Sequence, residues 1–265
     1  DLLNSCYVHE KSLYIVADDL NVVITDTIPE DILFSGTQPI EQTSDDAGNF
    51  GEDFEHAIAA RKGELYLLLG GIGAGKTTFL RRFETIIAKD LLTKKAFAFH
   101  VDFLNAPLSV DQLEKFIWST VLEKFRSQYA NDQIERRKFV KTIFKDKLKN
   151  LETTALRGIQ KHTEEYEKAI SPHLLEWQND LSDYVPKLLR FASILKKKAV
   201  VIFIDNVDQL DPNYQAQIFL LSQRITRLAA SVSVISLREE SYYAPTIQNA
   251  FTAYTSHKFH IASPL

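Results

Sequence analysis

Methionine is absent from all 265 positions, and cysteine occurs once, at Cys6. A single thiol excludes an internal disulfide and a zinc site of the usual Cys/His spacing. Cys6 reads most simply as a small buried residue. No apolar run approaches the ~20 residues that span a bilayer, and the N-terminus lacks the basic-then-apolar pattern of a signal peptide. No membrane partner is therefore expected, and the expected location is cytoplasmic. Neither sign of charge dominates: 31 Lys and Arg stand against 35 Asp and Glu, a formal net charge of −4. Any binding of a polyanion must then be local. Internal repeats and low-complexity tracts are also lacking. The chain opens on Asp1, and the expectation is a piece of a longer protein; the lack of methionine elsewhere has no physical account.

What is present is an ordinary globular composition, 45% hydrophobic and 25% charged, with length for one large domain or two small ones. Two short apolar runs at 12–17 and 21–25 read as strands, and the turn-rich stretch 43–51 as a linker. Residues 1–51 are thus expected to form an N-terminal segment, and residues 52–265 the main domain. Residues 52–63 read as a short helix stopped by Gly63. From Glu64 onward apolar strands (65–69, 95–102, 199–205, 231–237, 257–262) alternate with amphipathic helices. One helix is expected from Lys76 to about Asp90. A second opens at Ser109, with Gln112 completing a capping box, and a third at Asp211 and Pro212, a cap and first-turn pair. Residues 128–195 read as helical hairpins broken near Gly158, Pro172 and Pro186. Five strands with helical connections imply an α/β fold, a parallel sheet with helices on both faces. The helical insertion, at about 104–198, falls between the second and third strands.

The chemistry centres on residues 67–80, LLLGGIGAGKTTFL. Gly70, four residues, then Gly75, Lys76 and Thr77 is the spacing of a phosphate-binding loop. Glycine allows the backbone N–H groups to converge on an anion, and the following helix points its positive end at the same place. Candidate nucleotide-binding residues are Gly70, Gly71, Ile72, Gly73, Ala74, Gly75, Lys76, Thr77 and Thr78. Lys76 then lies against the β- and γ-phosphates and Thr77 ligates Mg²⁺, so the expected cofactors are ATP and Mg²⁺.

A phosphate-bound Mg²⁺ also needs a carboxylate on a neighbouring strand. Asp205 follows six apolar residues in VVIFIDNVD and emerges at the carboxyl end of a buried strand, the edge where open α/β sheets place ligands. The next position is Asn206, whose amide orients water but cannot take its proton. Asp208 is the nearest other carboxylate, either a base or a loop acid near Asp211. Asp102 ends the second strand and is expected to lie one strand too far away. Ser236 is read first as a small core residue, with contact to the γ-phosphate as the alternative. Arg238 either stabilises phosphate charge or pairs with Glu239 or Glu240. Lys76, Asp205, Asn206, Asp208 and Arg238 form the candidate catalytic set, and the expected hydrolysis is slow.

GGIGAGKTTFLRRF, VVIFIDNVDQLD with Gln215 and Gln217 beyond it, and VISLREESYY through to YTSHKFHIASPL together resemble bacterial P-loop ATPases of the STAND and KAP kind. These are additional-strand NTPases related to the AAA+ group, and the likeness runs over residues 54–265. The resemblance implies a three-layer P-loop NTPase with sheet order 5-1-4-3-2, its five strands numbered along the chain. It implies Mg²⁺ on Asp205, an Asp-Asn-x-Asp run in place of the usual Asp-Glu, and a nucleotide-sensing role for Arg238. By the same likeness the domain is an oligomerisation or conformational switch in a larger assembly, many such proteins acting in antiphage defence. The partners implied are other copies of the chain, with nucleotide at the subunit interface, and other domains or subunits. No helical lid is read after the fifth strand, so the resemblance assigns neither an adenine pocket nor an arginine finger.

Two other functions use the same loop. A small-molecule or nucleotide kinase would need a lid, which the long insertion has room to contain. A DNA-loading or DNA-remodelling ATPase would use residues 135–150, where seven Lys or Arg residues make either a solvated face or a nucleic-acid surface. Trp118 and Trp177 read as packing residues ahead of a base-stacking role.

Overall fold

A computed structural model describes residues 38–39, 48–61, 63–107, 109–239, 242 and 257–261. The expected strands at 12–17 and 21–25 lie outside these residues. Strands β1 (Gln38–Pro39), β2 (Glu64–Gly70), β3 (Ala96–Asp102), β4 (Ala199–Asp205), β5 (Ser231–Arg238) and β6 (His257–His260) form one sheet in the order β1-β6-β2-β5-β4-β3. Every pairing is parallel. The five main strands, counted along the chain, stand in the expected order 5-1-4-3-2. The two-residue β1 extends this sheet beside β6 and has no counterpart in the sequence reading.

The alternation of side chains along each strand builds the two cores. Leu65, Leu67 and Leu69 of β2, with Val200, Ile202 and Ile204 of β4, face one apolar cluster, while Tyr66, Leu68, Val201 and Phe203 face the other. Strands covered on both faces need continuous apolar runs, as β4 has with all seven residues buried. On the second face pack α1 (Gly48–Ala60), α2 (Lys76–Arg82) and α3 (Lys89–Lys95), with Phe50, Phe54, Phe79 and Phe83 in edge and stacked contacts. On the first pack α4 (Val110–Gln128), α5 (Arg137–Ile143), α6 (Lys145–Thr153), α7 (Glu164–Asn179), α8 (Leu181–Lys196) and α9 (Pro212–Ala229). The insertion between β3 and β4 is thus a helical layer around Trp118, Ile170, Tyr184 and Leu188.

Several boundaries differ from expectation. α1 starts at Gly48, inside the stretch read as a linker, because Phe50 and Phe54 bury fully against β2 and α2. Its left-handed terminus is Arg61 (φ 49°) in place of Gly63, whose own constraint is a close approach of Thr226 O. The helix expected from Lys76 to Asp90 is interrupted by a π turn over Phe83–Ile87. Ser109 is the N-cap of α4 without a side-chain cap bond, so the capping box does not close. Neither Pro172 nor Pro186 breaks a helix; both lie inside, in α7 and α8, and the break falls at Asp180, whose carboxylate accepts from Asp183 N. Pro172 is exposed, so the carbonyl that loses a partner faces water, and buried Pro186 is held by packing.

Candidate nucleotide and metal site

β2 ends at Gly70, and residues 71–75 carry the chain over the carboxyl edge of the sheet into α2. Gly73 and Gly75 hold φ of 78° and 80°, left-handed values that let the loop fold back tightly. Lys76 is 5% exposed and its ammonium donates to the carbonyls of Gly70 and Gly71, both at 2.9 Å. The lysine thus closes its own loop and holds a charge at the loop's centre. Ile72 stands out from it, 72% exposed.

The register of the sheet places the acidic groups. Gly70 pairs with Arg238 across β2 and β5, and Asp102 with Asp205 across β3 and β4. Asp205 is 1% exposed. Its Oδ1 accepts from the backbone N–H of Asn206 at 2.9 Å and the hydroxyl of Ser236 at 2.8 Å. The Thr77 hydroxyl lies 3.2 Å from Asp205 Oδ1 and 3.3 Å from Asn206 Oδ1, in reach of either acceptor. Ser236 is therefore a buried support of Asp205, more than core filler. Asp102 is not too distant: its Oδ1 accepts from Asn206 Nδ2 at 2.8 Å. Asn206 sits in left-handed backbone (φ 61°), which turns its side chain toward Asp102 and Thr77.

Asp208 lies in the 3-10 turn Val207–Gln209, and its side chain is outside the described residues. Arg238 is half-buried at the end of β5, while Glu239 beside it faces His260 Nε2 at 2.8 Å. One residue escaped the sequence reading. His100 of β3 places Nε2 3.7 Å from Asp205 Oδ2 and Nδ1 2.7 Å from Glu84 Oε1. Burial lowers the His100 pKa, but the hydrogen bond and charge of Glu84 and the charge of Asp205 outweigh it, and the pKa is raised. Glu84 belongs to the π turn, so no helical periodicity points it at β3.

The donor set suits a hard divalent cation that keeps most of its ligands as water and phosphate oxygen. Thr77 and Asp205 supply a hydroxyl and a carboxylate, and Asp205 Oδ2 is buried without a hydrogen bond. Among the described residues no three His, Cys, Asp or Glu side chains gather to hold a metal alone.

The profile of the family described as AAA ATPase domain matches residues 52–235. This chain belongs to that family. The match takes in β2, the glycine loop, the insertion, β4 with Asp205 and most of β5, and it stops before Arg238 and β6. A comparison with curated proteins finds no match. The domain is thus a P-loop ATPase module, and binding and hydrolysis of ATP are the general activity of such domains. Among the described residues no helix is long and apolar enough to cross a membrane.

Three of the seven basic residues at 135–150 pair within the insertion, and Arg136, Lys138, Lys145 and Lys149 are exposed. Arg137 and Lys141 pair with Glu167, and Lys147 pairs with Asp183. Trp118 is fully buried, and Trp177, partly buried, packs on Phe144.

Proposed function

We propose that this domain is a Mg²⁺-dependent ATPase of slow turnover, whose cycle changes its association with other copies of itself or with a larger assembly. In this reading the backbone of residues 70–78 and the Lys76 ammonium hold the phosphates, and Thr77 and Asp205 hold Mg²⁺. When bound, the ion would offset charge on the phosphate oxygens. The observation that carries the slow cycle is the group next to Asp205. Asn206 is an amide, its NH₂ committed to Asp102 and its Oδ1 turned toward Thr77. Such a group orients water without accepting its proton, which suits a timer better than a high-throughput enzyme. Arg238, level with Gly70 across the strand pair, is proposed to report the nucleotide state to β6 and the surface beyond. The setting we infer is a bacterial assembly of the antiphage kind that the STAND and KAP resemblance implies, and phage challenge of cells carrying wild type or Lys76→Ala tests it.

The direct experiment is mass measurement in ADP against a non-hydrolysable ATP analogue with Mg²⁺, alongside turnover. A nucleotide-dependent mass and turnover lost in Lys76→Ala are expected. An unchanged mass would sink the switch, and normal turnover in Lys76→Ala would sink the site. The kinase alternative predicts ADP release only with an acceptor. Nucleic acid is the less favoured partner: Arg137, Lys141 and Lys147 are already paired, which leaves Arg136, Lys138, Lys145 and Lys149 exposed, and stimulation of turnover by DNA would reverse that preference.

A further inference from the structure

Asp205 is fixed unevenly. Its Oδ1 meets Asn206 N, Ser236 and Thr77, whereas its Oδ2 is sealed from solvent and has no hydrogen bond. A carboxylate oxygen buried without a partner costs free energy unless something nearby compensates its charge. An ionisable group near it in the sheet is on the edge strand: His100 Nε2 stands 3.7 Å from Oδ2, within ion-pair reach and longer than a hydrogen bond. That nitrogen is aimed by the other side of the ring, where Nδ1 lies 2.7 Å from Glu84 Oε1. Glu84 reaches β3 because the helix widens into a π turn at Phe83–Ile87, a distortion often found at functional sites. The glutamate side of the pair borders a cavity of about 230 Å³, shared with Lys124, Gln128 and Tyr129.

We propose that Glu84 and His100 form a positioning clamp for Asp205, holding its Oδ2 so that the carboxylate is ready for Mg²⁺ with its nucleotide. The inference rests on the ATPase reading above. Groups that orient a ligating side chain are worth about 10- to 100-fold in metal affinity. The clamp also ties the helix that follows the phosphate loop to the strand beside Asp205. Loop and metal ligand are then set by one connected unit, with no covalent step assigned to either residue.

The test separates the two sides of the ring. In His100→Gln the amide nitrogen falls near the place of Nε2 and can still meet Asp205, whereas in His100→Asn it falls near Nδ1 and meets only Glu84. Binding of a fluorescent ATP analogue is titrated with Mg²⁺, and again in EDTA, with melting temperature measured in parallel. For His100→Asn and Glu84→Ala we expect the Mg²⁺ concentration at half-saturation to rise about 10-fold or more, with binding in EDTA unchanged. His100→Gln should return most of the way to the wild-type value. Glu84 borders an existing cavity, so Glu84→Ala removes the acceptor at the margin of the core, which keeps the test open should His100→Asn fold poorly. Mg²⁺ curves for Glu84→Ala and a folded His100→Asn that overlay the wild type, whatever the melting temperatures, overturn the clamp and leave the ATPase reading intact. A wild type without Mg²⁺-dependent nucleotide binding overturns both.

Discussion

Asn206 illustrates how one amide is fixed by neighbours of opposite demand. Asp102 only accepts, so it takes the NH₂ group at 2.8 Å, and the carbonyl end is left toward the Thr77 hydroxyl. Asn206→Asp sets a carboxylate against Asp102, and a fall in melting temperature is expected. Adding Asp102→Asn restores one acid and one amide, so stability should return, with a coupling of about 0.5–3 kcal/mol in a double-mutant cycle measured by urea unfolding. Losses that simply add would remove the pair from this account. Ser236 is the second case. Its hydroxyl donates to a buried carboxylate, so Ser236→Ala should cost about 1.5–3 kcal/mol of stability. A urea midpoint equal to the wild type would show that the bond contributes nothing net.

At the scale of elements, β4 was legible because seven buried residues demand an apolar run, and α9 because Asp211 and Pro212 begin it as a cap and first-turn pair should. The loop from Gly70 to Thr78 was legible because its glycines answer backbone geometry, a local matter. His100 was not, and Ser236 was legible only as a small core residue or a phosphate contact, since each gains its partner from strands adjacent in space and distant in sequence. The π turn was hidden for another reason: five residues are too few for hydrophobic spacing to separate 3.6 from a wider period. The prolines misled because proline marks a lost hydrogen bond without saying which side of the helix loses it. Pro172 gives the check. Its side of α7 is exposed, and Pro172→Ala restores an N–H for the Lys168 carbonyl without opening a cavity. A gain of about 1–3 kcal/mol in urea unfolding is expected, and a loss would contradict the assignment. Pro186→Ala should gain less, because that ring is buried and its removal leaves space.

Across the whole molecule, stability is divided between an apolar sheet core and a helical layer laced by charge. In the insertion, Glu135 is buried against its charge, yet the Arg126 guanidinium and the Tyr184 hydroxyl, each at 2.8 Å, hold its pKa below the usual carboxylate range. Asp183 is likewise lowered, burial opposing and Lys147 and Lys187 prevailing. Glu167 is lowered chiefly by Lys141, with Arg137 adding to it. A carboxylate whose folded pKa is depressed stabilises the fold above its unfolded value, and that contribution disappears as pH falls through the folded value. The insertion should therefore weaken from about pH 4.5 downward, before the sheet, whose described core residues are mainly apolar. Hydrogen exchange followed from pH 6 to about pH 3 is expected to show α4 to α8 losing protection first, with β2, β4 and β5 holding longer. Raised salt should narrow the difference, since these pairs are partly exposed and screened. Simultaneous loss across sheet and insertion would mean instead that the two layers unfold as one unit, and that a nucleotide-driven change at Asp205 must move both.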